Sequence, residues 1–114
     1  MAARLTNRFE TYRRLQPERS EFAAALVELV RSLGLDGSVF HVIQDVPEQG
    51  EDLFTLLSDD QTVISFEVPR GRVPLEAEEV IKIPVAEYRH KIGQGKDRIR
   101  LDETLKHARV LLGR

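Results

Sequence analysis

Two short β-rich runs, Leu53 to Leu57 and Thr62 to Val68, are joined only by Ser58-Asp59-Asp60-Gln61. In the second run Ile64, Phe66 and Val68 alternate with Ser65 and Glu67. Successive side chains of a strand point to opposite faces, so this order makes one apolar face and one wet face. A connector of this length closes an antiparallel hairpin, and antiparallel sheets accept water on one side. Whatever surrounds residues 53–68 must therefore cover one face of a small sheet.

The flanking segments read as that cover. Phe22, Leu26, Leu29, Val30 and Leu33 follow the spacing of one helical stripe, supported by Ala23, Ala24 and Ala25. Gly34 stands where a left-handed residue ends a helix. Further upstream, Leu5, Phe9, Tyr12 and Leu15 or Gln16 keep helical spacing among Arg4, Arg8, Arg13 and Arg14. This predicts an amphipathic helix or arm over residues 1–16, interrupted at Pro17. Val39 to Ile43 reads as a strand and Asp45 to Asp52 as an exposed acidic loop. Pro69 to Pro74 reads as a rigid turn and Val80 to Ile83 as a fourth strand. Pro84 suits the first turn of a helix that Val85, Tyr88 and Ile92 line and Gly93 ends. Ile99 and Leu101 alternate with Arg98 and Arg100 as a brief extended piece. Asp102 then reads as the N-cap of a terminal helix carrying Leu105, Ala108, Leu111 and Leu112.

Strands grouped in the middle, with helices at the ends, predict a single α+β domain over residues 1–114. Its expected form is two-layered: a three- to four-stranded, largely antiparallel sheet covered by N- and C-terminal helices.

Composition removes several chemistries. The chain has no Cys, which excludes disulfides, thiol catalysis and Cys-based zinc sites, and which fits a cytoplasmic, reducing setting. Its longest apolar stretch, Phe22 to Val27, is far too short to span a bilayer, and the Arg-bearing start does not read as a signal peptide. Charge is segregated. Residues 35–80 hold eleven acids against Arg70 and Arg72, whereas residues 81–114 hold nine Lys or Arg against four acids. If the signs stay apart in the fold, the surface is bipolar and steers a charged partner.

The candidate chemical groups are few. His41, His90 and His107 show no metalloprotease spacing, and the acids of 45–60 do not follow the calcium-loop pattern, so no metal and no cofactor is expected. Lys91, Gly93, Gly95, Lys96, Arg98 and Arg100 place exposable backbone N–H groups among cations, the makings of an anion nest. The same glycines also suit the end of one helix and the release of the chain toward the next. The acidic middle repels a phosphate backbone and aromatic platforms are scarce, which weighs against nucleic acid.

The leading expectation is a small, non-enzymatic protein-interaction or regulatory domain, homo-oligomeric, with Arg4, Arg8, Phe9 and Tyr12 in the partner contact. An anion or nucleic-acid binder using residues 89–100 is the alternative. A small enzyme pairing His41 with Asp45 or Glu48 is the third. The order of amphipathic helix, central hairpin and closing helix is similar to that of small acidic bacterial chaperone and adaptor proteins, a likeness of layout that carries over no residue.

Overall fold

The computed structural model describes residues 13–114. In chain order they form α1 (Glu21–Ser32), β1 (Phe40–Glu48), β2 (Glu51–Ser58), β3 (Thr62–Pro69), β4 (Glu78–Pro84), α2 (Val85–Ile92) and α3 (Lys96–Leu111). The strands make one sheet in the order β1-β2-β3-β4, each antiparallel to the next. The expected hairpin is its centre: β2 pairs with β3 from Glu51 opposite Pro69 to Ser58 opposite Thr62. The α+β class and the antiparallel sheet are therefore as the spacing predicts.

The layering differs from the expectation. Phe40, Val42, Phe54, Leu56, Ile64 and Phe66 pack with Leu26, Leu29 and Val30 of α1. Ile43, Leu57 and Val63 point the other way and pack with Tyr88, Leu101, Leu105 and Ala108 of α2 and α3. The helices from the two ends of the chain take opposite faces, so the sheet is the middle of three layers rather than one of two. The alternation in β3 hides this, because Val63 is the only apolar side chain it offers to the second core.

Local chemistry sets the element ends. The Ser20 Oγ accepts a hydrogen bond from the Ala23 N–H at 3.2 Å and caps α1. At the other end the Lys82 ammonium donates to the Leu33 carbonyl at 2.6 Å, placing a cation at the negative pole of the helix. Asp59 accepts from the backbone N–H groups of Ser38 and Val39 at 2.8 and 2.9 Å, which ties the turn of the central hairpin to the approach into β1.

Three local expectations are corrected. Arg14 forms a bridge with His41, and the Leu15 N–H donates to the Phe40 carbonyl at 2.8 Å. The end of the expected first helix is thus extended chain against β1, while Arg4, Arg8, Phe9 and Tyr12 lie outside the described residues. The expected acidic loop is instead the ends of β1 and β2 closed by the two-residue turn Gln49-Gly50, where Gly50 takes φ +83°. Finally, α3 begins at Lys96, so residues 98–101 are helical and Asp102 lies inside the helix. Leu101, Thr104, Leu105 and Ala108 form the buried stripe, which starts a full turn before the expected cap.

Asp59 gives a direct test of the connection between turn and strand. Asp59→Ala leaves two backbone donors without their acceptor and should lower stability by about 1 to 3 kcal/mol, read by urea unfolding. Asp59→Asn should lose less, because both N–H groups donate to the single oxygen Oδ1, which the amide keeps.

Candidate functional site

The second sheet face is covered at one end only. α2 and α3 sit over His41, Ile43, Leu57 and Val63, with Ile83 beside them. Beyond this no described helix covers the face, which forms a trough of about 260 Å³ lined by Gln44, Val46, Leu53, Thr55, Ser65 and Glu79, among others. Ile81, opposite Ser65, is 55% exposed there and Val46 is 43% exposed.

Irregular backbone flanks the trough on both sides. In β1 the register shifts between Val42 and Gln44, and in the β3–β4 pair it shifts between Ser65 and Glu67. An extra residue in a strand turns the following side chains to the other face. Gln44 and Val46 consequently face the trough rather than α1. On β4, Glu79 holds φ +54°, a conformation uncommon for a residue with a Cβ.

Acidic side chains crowd the far end. The carboxylates of Glu51, Glu67 and Glu78 converge to within 4.8 Å of one another. Glu67 is raised above the ordinary carboxylate range, first by desolvation and then by its neighbours Glu51, Glu79, Glu78 and Glu48. Arg72 pairs with Glu78 at 3.4 Å and Arg70 with Asp52 at 3.0 Å. The carboxylates of Glu48, Glu67 and Glu79 make no ion pair among the described residues. Val46 and Leu53 thus stand beside a group of acids that the described arginines neutralise only in part.

The basic segment takes a different form from the expected nest. Lys91 lies in the last turn of α2, Gly93 caps the helix at φ +68°, and Gly95 leads into α3 at φ +122°. The glycines are an elbow between two helices, and Gly95 occupies backbone space that a Cβ strongly disfavours. Lys96 and Arg100 are exposed and Arg98 is half-buried, all three on the first turns of α3. Arg89 of α2 holds Asp102 of α3 by two hydrogen bonds of 2.8 and 3.0 Å, which fixes the elbow.

His41 is fully buried, and its neighbour is not a carboxylate. Its Nε2 lies 3.0 Å from Nδ1 of His107 on α3, the rings edge to face. Asp45 pairs with Arg13 at 3.7 Å, and Glu48 lies at the opposite end of β1. The shallow depression above His107 is lined by Glu103, Lys106 and Val110, and His41 does not reach it. The expected acid–base pair of His41 with Asp45 or Glu48 is not formed. Burial, then the positive charge of His107 and of Arg14, lowers the His41 pKa to about 4.

A longer groove of about 610 Å³ runs between α1 and the loop carrying Arg72, Val73, Pro74 and Leu75. It has no comparable charge cluster, since Arg72 is already paired with Glu76 and Glu78. No helix among the described residues is long and apolar enough to cross a membrane. No family model, curated protein or solved structure matches the chain.

The histidine pair predicts a pH dependence of stability. His41 titrates near 6.5 when unfolded and about 4 when folded, so the unfolded state binds the extra proton between these values. Stability contributed by neutral His41 is complete above pH 6.5 and falls as the pH drops toward 4, by about 3 kcal/mol in all. Urea midpoints across that interval should show the slope, and His41→Leu should flatten it. An unchanged slope in His41→Leu would assign the dependence to other groups.

Proposed function

We propose that this chain is a small, non-enzymatic protein-interaction domain, a cytoplasmic adaptor or regulator of bacterial type. The trough on the open half of the sheet is its docking surface. The observation that carries this reading is the pairing of exposed Val46 and Ile81 with an acidic rim that the described arginines leave partly unneutralised. Isolated exposed apolar residues are ordinary, but Val46 and Leu53 paired on adjacent strands and flanked by one sign of charge favour an interaction surface. Acids at such a rim steer a basic partner and speed its encounter, while the apolar floor holds it once water is displaced.

Support also comes from where the titratable groups sit. The His41 imidazole is sealed in the core, outside the trough and the depression above His107, a placement that suits packing better than turnover. The helical elbow of 93–95 uses its glycines for chain geometry, which weakens the alternative of an anion nest.

A titration of isotope-labelled protein with a synthetic amphipathic Lys–Leu peptide tests the reading. Saturable amide shifts are expected at Val46, Leu53, Ser65 and Ile81, weakened as salt is raised. Glu67→Lys/Glu79→Lys should reduce the affinity at least tenfold. Equal binding of a Glu–Leu peptide of the same pattern, or shifts elsewhere on the domain, would refute the assignment.

A further inference from the structure

The open half-face and the basic start of α3 are complementary to each other, on one molecule. The covered half of the sheet carries a helical layer about 10 Å thick, and among the described residues the other half carries none. The face is therefore a step. Two identical steps, turned face to face about a two-fold axis, fill one another: each helical layer enters the open half of the other sheet.

The chemistry at the two levels of the step matches this fit. On the upper level Ile99 is 59% exposed, with Lys96, Arg98 and Arg100 around it at the start of α3. None of these three cations makes an ion pair among the described residues. On the lower level Val46 and Leu53 line the trough with Glu67 and Glu79, Glu48 acts on Glu67 from nearby, and exposed Ile81 lies on the β4 edge opposite Ser65. A basic rim around an apolar knob faces an acidic rim around an apolar floor. A two-fold interface uses every such contact twice, so one complementary pair of patches produces two.

We infer that the occupant of the trough is the α3 start of a second copy of this chain, in a two-fold homodimer that seats Ile99 beside the paired Val46 and Leu53. This rests on the reading of the open half-face as a docking surface and names what docks there. Edge-to-edge pairing through β4 is the competing route to a dimer, and the edge opposes it. Glu78, Glu79 and Lys82 charge that strand, and the left-handed backbone at Glu79 breaks its flatness. Because the contacts join opposite charges near solvent, the dimer weakens as salt screens them.

Charge exchange tests the inference by sedimentation velocity over a concentration series. Wild-type protein should approach twice the 13.0 kDa chain mass. Glu67→Lys/Glu79→Lys and Lys96→Glu/Arg100→Glu should each sediment as monomers, with the dimer dissociation constant raised about a hundredfold or more. An equimolar mixture of the two variants restores both sets of opposite charges and should regain the dimer. Far-UV circular dichroism checks that each variant is folded, and Ile99→Asp provides an independent route to the monomer. A dimer that persists in both charge variants would overturn the inference by placing the contact elsewhere. A wild-type protein that stays monomeric throughout would overturn it too, while the Lys–Leu titration would still decide whether the trough is a docking surface.

Discussion

A central strand that must serve two cores at once is the constraint on which this structure depends. β2 sends Phe54 and Leu56 toward α1, and Leu57 toward α2 and α3. β3 does the same with Ile64 and Phe66 on one side and Val63 on the other. Burial on both faces demands apolar residues at consecutive positions, and the demand ends where a helix ends. α2 has only eight residues, from Val85 to Ile92, or about 12 Å of cover. Past its reach the same strand positions become Thr55, Ser65 and Glu67. The border between the second core and the half-face that no described helix covers is thus set by how far α2 and α3 reach.

The anchoring of the helical layer follows from that border. The carboxylate of Asp60, on the turn of the central hairpin, accepts from Arg109 at 3.3 Å and from Arg114, which fastens the end of α3. Arg89 and Asp102 fasten α3 to α2. Exposed ion pairs contribute about 1 kcal/mol or less each, so these set position more than stability. The burial of Leu101, Leu105 and Ala108 supplies the larger share. His41 completes this core as a neutral ring, and its proton balance becomes a property of the fold.

Much of this was legible in residue spacing, for reasons that differ by element. The stripe of α1 and the Ile64–Val68 part of β3 each place their apolar residues on one face, so their periods survive in the sequence. Pro84 and Gly93 bracket α2 as expected from the fixed angle of one and the left-handed freedom of the other. The turn Gln49-Gly50 was hidden because the strand ends around it are solvated acids, with no apolar alternation to mark them. The start of α3 was hidden because Ile99 points to solvent, which turned a helical stripe through Leu101 and Leu105 into apparent alternation. Nothing local could pair His41 with His107, 66 residues away, or show that a strand bulge would turn Gln44 and Val46 to the open face. Charge segregation was visible from the start; that the acids gather on one sheet face beside a trough was not.

The half-covered face can be measured directly. Methyl-labelled Lys96→Glu/Arg100→Glu protein keeps the trough residues intact and can be exposed to a neutral gadolinium chelate, which broadens only methyl signals near solvent. The account predicts strong broadening at Val46, Leu53 and Ile81, with Leu57, Val63 and Ile64 sheltered. If Leu53 and Ile81 were as sheltered as Val63, the sheet would be covered along its whole length, and the docking surface would not exist.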